Sequence, residues 1–407
     1  MRWLDTDGID LDVVGLVSGG HFLSHFYLLV FPPLFPILGP QFDLSNVELG
    51  LIMSAIQVGT FLQVFAGDVV DRIGGKRVFV AGLVVTAVAI GGAGLAGSYL
   101  LLLGFALASS VGQAGFHPAD YALLDAASDE GTAGKSFAVH SFAGSLGFAA
   151  APLVVGGIAL TAGWRTALYV AGAVGLVYAV VAYLHLDEIY LAQIGENLTR
   201  ADEPEESEPP ERASLTDPTL VALFGFVFLT VFGVIGIQTF TPVLATAGYG
   251  VGEAAGNTAL TAFFTVFAFS TLLGGVLVDR LSPRVVILSV IATSTVMIWG
   301  IAARLVPADA VALIAAFALV GGVGGLLLPA RDRLINDASP AGSTGRSFGF
   351  VLTGISLAGV VAPALLGAVI DATDVWTAFW VIGAAVGLGA VITLYVTRTE
   401  RGGSAAA

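Results

Sequence analysis

Gly67-Asp68-Val69-Val70-Asp71-Arg72-Ile73-Gly74-Gly75-Lys76-Arg77 is a short charged turn, broken by glycines and set between two long apolar runs. A second copy, Gly275-Val276-Leu277-Val278-Asp279-Arg280-Leu281-Ser282-Pro283-Arg284, repeats the Gly-x-x-x-Asp-Arg core and the basic residue four places after that arginine. Alone, such a turn is a solvated loop. Two copies at the same place in two apolar halves imply a chain built of two related halves. The repeat reaches further: Pro118-Ala119 aligns with Pro329-Ala330, Gly134-Lys135-Ser136-Phe137 with Gly345-Arg346-Ser347-Phe348, and Ala151-Pro152 with Ala362-Pro363, all at one offset without a gap.

Of the 407 residues 56% are hydrophobic and only 11% charged, against roughly 25% charged in soluble domains, which places the chain in a membrane. Met1 to Asp12 is polar and acidic and the first apolar run is long enough to span, so the first helix is expected to act as its own insertion signal. With no cysteine, neither a disulfide framework nor a thiolate metal site is expected. The formal charge of −14 gathers in Asp187–Glu211 and the N-terminal tail. That is the pattern of a surface adapted to a salt-rich cytoplasm, or of a disordered acidic linker.

Apolar segments of roughly 20 residues, the length that crosses a ~30 Å hydrocarbon core, fall near 12–35, 47–70, 77–98, 100–126, 135–161 and 165–186, and again near 219–246, 254–278, 285–305, 308–334, 346–371 and 375–397. The expected organisation is an N-terminal six-helix bundle over 1–186, an acidic cytoplasmic linker over 187–218, and a C-terminal six-helix bundle with a short tail over 219–407. All of the sixteen basic residues except Arg165 and Arg304 fall on one side if the N-terminus is cytoplasmic. That bias predicts a multi-pass protein of the cell membrane with both termini inside.

The pattern of Gly67, Asp71, Arg72, Gly74 and Lys76 resembles the signature loop between the second and third helices of the major facilitator superfamily of secondary transporters. Gly275, Asp279, Arg280 and Arg284 follow it in the second half. Two departures stand out: Gly75 replaces a basic residue, and Ser282 replaces the glycine of the second copy. The resemblance implies an all-α integral-membrane fold of twelve transmembrane helices in two pseudo-symmetric bundles. Within the superfamily, His21-Phe22-Leu23-Ser24-His25-Phe26-Tyr27, Phe116-His117-Pro118 and Gly144-Ser145-Leu146-Gly147 resemble the fosmidomycin-resistance branch. Where that branch has an acidic residue four places after the first histidine this chain has His25, so no coupling carboxylate carries over at that position. Gly147-Phe148-Ala149-Ala150-Ala151-Pro152 partly resembles an export-antiport motif, with Ala151 in place of its second glycine. Small residues at that spacing also serve close helix packing.

Ionisable groups within a span cost about 2.5–3.5 kcal/mol on insertion scales, so each is a candidate for function. His21 and His25 share a face of the first helix, one turn apart. His117 and Asp120 share a face of the fourth. In the family the first, fourth, seventh and tenth helices line a central cavity, which implies that His21, His25, His117 and Asp120 border it and that His140, on the fifth, sits at the side. These four residues are the proton-coupling candidates, because histidine changes charge near neutral pH; a satisfied structural histidine is the alternative. Gln57, Gln238, Thr239, Thr241 and Arg331 are the substrate-cavity candidates, Arg331 being equally readable as an inside-positive anchor. The cytoplasmic gate candidates are the signature residues together with Arg346.

Duplicated halves with a site at their interface suit alternating access. The expected function is secondary transport, exporting a small and mostly apolar organic molecule in exchange for protons. Proton-coupled uptake of a neutral or monoanionic metabolite is the alternative. An integral-membrane enzyme is remote, since no metal-ligand cluster, activated nucleophile or phosphate-cradling turn stands at motif spacing. No cofactor, metal or nucleic-acid partner is expected; the bilayer, protons, a small molecule and a monomeric state are.

The gate reading predicts that Asp71 faces the N-terminus of the eleventh helix near Gly345 and Arg346, where unpaired N–H groups favour an anion. Charge and dipole pairs of this kind contribute about 0.3–1 kcal/mol. Asp71→Asn should therefore raise the cytoplasm-open population about two- to five-fold. Labelling of a single cysteine introduced on the cytoplasmic side of this cysteine-free chain measures it, and an unchanged labelling rate removes Asp71 from the gate.

Overall fold

A computed structural model describes residues 8–129, 131–186, 217–339 and 343–404. The expected acidic linker lies, but for its last two residues, outside the described residues, as do Arg2, Arg200 and Arg212. Eleven helices among the described residues are long and apolar enough to cross a membrane, and a bent pair makes a twelfth span. In chain order they are α1 (Leu11–Phe42), α2 (Asn46–Gln63 and Phe65–Ile73, bent by 58°), α3 (Gly75–Ala93), α4 (Tyr99–Ala126), α5 (Ala133–Ala162) and α6 (Trp164–His185). Then come α7 (Pro218–Gly248), α8 (Glu253–Val278), α9 (Pro283–Ala302), α10 (Ala310–Asp337), α11 (Thr344–Ala372) and α12 (Val375–Val396). The architecture is all-helical, as the hydropathy of the chain requires in a medium without water.

Local chemistry sets the ends. Asp10 accepts from the amides of Asp12 and Val13 at 3.1 Å to open α1, Asp217 caps α7 ahead of Pro218, and Asp309 caps α10. These side chains satisfy amides that have no partner in a first turn. Gly74, at φ +90°, both ends α2 and starts α3, a backbone shape closed to residues with a Cβ. Ser282 stands there in the second copy, and the device changes: its φ is −64° and its hydroxyl accepts from the Val285 amide, with Pro283 opening α9. The loss of the signature glycine is thus an exchange of a left-handed turn for a serine cap.

Two spans break at matching places. In α4 the helix is interrupted at Gly115, between Tyr99–Ala114 and Phe116–Ala126. In α10 it is interrupted at Leu326, between Ala310–Gly325 and Leu327–Asp337. Each break precedes a proline, Pro118 or Pro329, by three residues. Proline lacks the N–H that would reach back four residues, and its ring crowds that carbonyl.

The described chain forms two compact units, one of Met1–Leu34 with Ala55–Glu206 and one of Phe35–Ser54 with Ser207–Ala407. In the first, α1 packs on α5, α3 on α6, and α4 on α3 and α2. In the second, α7 packs on α11 and α12, α9 on α12, and α8 on α10. The pairings 1–5, 3–6 and 2–4 therefore recur as 7–11, 9–12 and 8–10, which is the sequence repeat seen in space. The segment Phe35–Ser54 joins the second unit through Asp371 at the end of α11. Its carboxylate accepts from the Asn46 amide at 2.9 Å, the Asn46 side chain at 2.7 Å and the Val47 amide at 2.9 Å.

Close packing runs through glycine. A Cβ on Gly321 or Gly325 of α10 would strike the Phe263 or Phe267 carbonyl of α8, four residues apart on both helices. Gly147 of α5 meets the Phe22 backbone of α1 in the same way, so in this structure the small residues of the export-like stretch serve packing. Gly67, by contrast, has open space where a Cβ would stand. Gly321→Val should lower the stability of the detergent-solubilised protein by about 1–3 kcal/mol, the usual cost of overpacking, whereas Gly67→Ala should leave it within about 0.5 kcal/mol or raise it. Thermal unfolding of both variants measures the difference.

Candidate functional site

The N-terminal unit holds a buried group of four histidines and one aspartate, contributed by α1, α4 and α5. His21 and His25 stack along α1, their Nε2 atoms 2.9 Å apart. His117 stands just beyond the Gly115 break, where Pro118 turns the lower part of α4. Its ring centroid lies 5.2 Å from that of His21 and 5.9 Å from that of His25. Asp120, one turn further, is fully buried. His140 of α5 lies 3.8 Å from His21, centroid to centroid, and its Nε2 is 3.6 Å from Asp120 Oδ2.

Phe148 stacks on His25 at 4.2 Å, and Tyr121 approaches His117 and His140 at 6.0 and 6.1 Å. Gly144 admits the α1 rings to this face of α5, since a Cβ there would stand 2.7 Å from His25 Nδ1 and 2.8 Å from His21 Nε2. Nearby, Ser24 donates to Gln113 Oε1 at 2.7 Å and the Gln113 amide donates back to the Ser24 carbonyl at 2.9 Å. That exchange fixes α1 against α4 and sets the register of the histidines.

The hydrogen-bond ledger of the group is incomplete. Among the described residues neither oxygen of Asp120, neither ring nitrogen of His140, nor Nδ1 of His21, His25 or His117 has a hydrogen-bond partner. Buried polar atoms are ordinarily paired. An arrangement that leaves so many open is suited to holding a proton, a cation or a polar ligand.

This geometry corrects two readings of the sequence. His140 was expected at the side of the central cavity and apart from the other candidates, and it lies inside the group, against both His21 and Asp120. No metal-ligand pattern was visible in linear spacing, yet two sets converge: His21, His25 and His117, and His21, Asp120 and His140, each with one ligand atom per residue within 4.8 Å of the others. A signal for His140 was present in the chain. Gly144 and Gly147 follow it at four and seven residues, so the face of α5 that packs on α1 also carries His140.

In the second unit a cavity of about 70 Å³ is lined by apolar side chains of α7 to α10 and α12, among them Ile237, Phe263 and Val386, with Thr230, Ser294 and Arg331 as its polar members. Arg331 pairs with the adjacent Asp332 at 2.8 Å, Arg331 being mostly buried and Asp332 half-exposed. Its charge is therefore balanced within its own helix. Ile237, not its neighbour Gln238, lines this cavity. Gln238 is buried with its Nε2 unpartnered among the described residues. The hydroxyls of Thr239 and Thr241 donate to the carbonyls of Ile235 and Ile237 one turn back, which uses their donor capacity. Gln57 is buried in α2 ahead of its bend, and its backbone carbonyl accepts from the Thr60 hydroxyl at 2.7 Å. Of the gate candidates, Asp71, Arg72, Asp279, Arg280 and Arg346 are exposed, and Lys76 lies 5.2 Å over the Tyr183 ring.

The profile of the Major Facilitator Superfamily matches residues 17–256 and 223–407; the chain belongs to this superfamily, a class of membrane transporters and not of enzymes. It is 26% identical to the probable sulfoacetate transporter SauU of Cupriavidus necator, over 94% of this chain and 93% of that one. It is 25% identical to the hexuronate transporter of Bacillus subtilis, over 90% and 89%. Its fold matches a bacterial homologue of the human lysosomal transporter Spinster, in an inward-facing and occupied conformation, with a TM-score of 0.74 at 16% identity over 95% and 96% of the two chains. The narrower likeness to the fosmidomycin-resistance branch has no counterpart in these relatives.

The role of Gly144 as a spacer is open to measurement. Gly144→Ala should push the His21 and His25 rings apart while removing no group from the cluster. In nitrogen-15 histidine spectra the signals of both should move and that of exposed His185 should not; unmoved signals would show that Gly144 does not set the ring positions.

Proposed function

We propose that this transporter exports a small, mostly apolar organic molecule in exchange for protons. The observation that carries the reading is the pairing of two unlike sites. One is the apolar cavity of the C-terminal unit, whose few polar members, Thr230, Ser294 and Arg331, suit orientation of a weakly polar molecule. The other is the buried group of His21, His25, His117, Asp120 and His140, a polar cluster within spans where such residues are costly and ordinarily functional. In this reading the cavity contributes to holding cargo and the cluster holds the coupling ion. Asp71 and Asp279 with their arginines, and Arg346, form the cytoplasmic gate. The cell membrane, cytoplasmic termini and a monomeric working unit complete it.

A second reading is uptake by proton symport of a neutral or monoanionic metabolite. It is favoured by the hexuronate of one named relative, a monoanion, and by a guanidinium, Arg331, at a mostly apolar cavity.

Purified protein in sealed vesicles of known orientation separates the two. With the cytoplasmic face outward and an acidic lumen, an exporter accumulates its substrate inside as protons leave. With the cytoplasmic face inward and an acidic exterior, a symporter accumulates substrate inside. A panel of weakly polar molecules and of small carboxylates and sulfonates, run in both orientations, should show accumulation of the former in the first arrangement. Accumulation confined to the second arrangement rejects export.

A further inference from the structure

We propose that the histidine and aspartate cluster of the N-terminal unit is a binding site for a divalent transition-metal cation of the zinc type, with His21, Asp120 and His140 as its ligands and His25 and His117 beside them. The inference concerns binding alone and stands whichever direction, coupling ion or cargo the transporter proves to have.

Three observations carry it. First, the donors converge: one ligand atom each from His21, Asp120 and His140 lies within 4.8 Å of the others, and all three residues are buried. Zinc bonds to nitrogen and oxygen are about 2.0–2.2 Å long, which puts tetrahedral ligand atoms roughly 3.3 Å apart. The His140 Nε2 and Asp120 Oδ2 atoms are 3.6 Å apart, within a few tenths of that spacing. Second, the donors are free: both Asp120 oxygens and both His140 nitrogens lack a hydrogen-bond partner among the described residues. A buried carboxyl so placed either holds a proton or is stabilised by a bound cation. Third, a second layer is in place. With the unpartnered Nδ1 of His21 as the ligand, its Nε2 meets His25 Nε2 at 2.9 Å, a contact that would fix the orientation of the ligating imidazole through its other nitrogen.

The donor set also selects the ion. Calcium and magnesium take six or more oxygen ligands, and a site with one carboxylate among imidazoles does not supply them. Imidazole nitrogen with a single carboxylate suits zinc, cobalt and nickel. Three protein ligands leave a position open, which the nearby His117 or a small molecule could fill.

The test uses the full chain in detergent or nanodiscs, purified without a histidine tag and stripped with a chelator. Calorimetric titration with zinc should show one equivalent bound. Cobalt should give visible absorption bands of a nitrogen and oxygen site, and a large excess of magnesium should not displace either. His140→Ala and Asp120→Asn should each weaken zinc at least tenfold, while His185→Ala, outside the cluster, should leave binding unchanged. His140→Gln, closer in shape, serves if the alanine variant does not fold. Zinc should also raise the melting temperature of the wild-type protein by several degrees. Wild-type binding no tighter than that of His140→Gln, equal displacement by magnesium, or no thermal shift in the wild type overturns the proposal. A metal site confirmed alongside failed transport leaves this inference standing and rejects the transport reading alone.

Discussion

In hydrocarbon an unpaired backbone amide or carbonyl has no water to turn to and costs several kcal/mol. Every departure from helix in this protein must therefore be caused by something specific and answered locally. The breaks in α4 and α10 show the cause: Pro118 and Pro329 each remove one intrahelical bond and crowd the carbonyl four residues back, and the helix resets at Gly115 and Leu326. Because the two prolines are copies of one ancestral position, the two units share the break. What they built on it differs. In the N-terminal unit it sets His117 and Asp120 against α1 and α5, and in the C-terminal unit it brings Arg331 to an apolar cavity.

The same constraint explains why helix packing here depends on glycine. Between apolar helices in lipid there is little hydrophobic gain, so association comes from close backbone approach. Gly147 on the Phe22 backbone joins α5 to α1, and Gly321 and Gly325 on the carbonyls of Phe263 and Phe267 join α10 to α8. Gly144 extends the α1–α5 contact to a polar purpose. Without a Cβ it leaves room for two imidazoles between helices that would otherwise exclude them. The packing that holds the unit together and the group that gives it chemistry are thus one seam.

The two units also divide the chemistry. The N-terminal unit holds all five histidines, four of them gathered around a buried carboxylate with unfilled hydrogen-bonding capacity. The C-terminal unit has a mostly apolar cavity whose one arginine is balanced by the adjacent Asp332.

How much of this was legible in the chain follows from the range of the forces involved. The twelve spans were readable because hydropathy over twenty residues is a local property. The twofold repeat was readable because Gly-x-x-x-Asp-Arg recurs between matching apolar runs, and the proline positions and the Gly-Lys/Arg-Ser-Phe stretch are local patterns carried at one offset. The pairing of His21 with His25 and of His117 with Asp120 was readable too, since helical periodicity alone puts residues three or four apart on one face. The face of α5 that carries His140 was marked by Gly144 and Gly147, but not the groups that His140 meets there, nor the convergence of five groups from three helices. That depends on how α5 crosses α1 and how far α4 turns at its proline, both set by contacts between residues far apart in sequence. The capping exchange of Gly74 for Ser282 was visible as a substitution, but its meaning lay in a backbone angle. The chain by itself determined its medium, its helices and its duplication, because those rest on neighbours along the sequence. Tertiary structure alone decided which buried polar groups meet, because the energy of an unpaired group in a dry interior depends on what is folded against it.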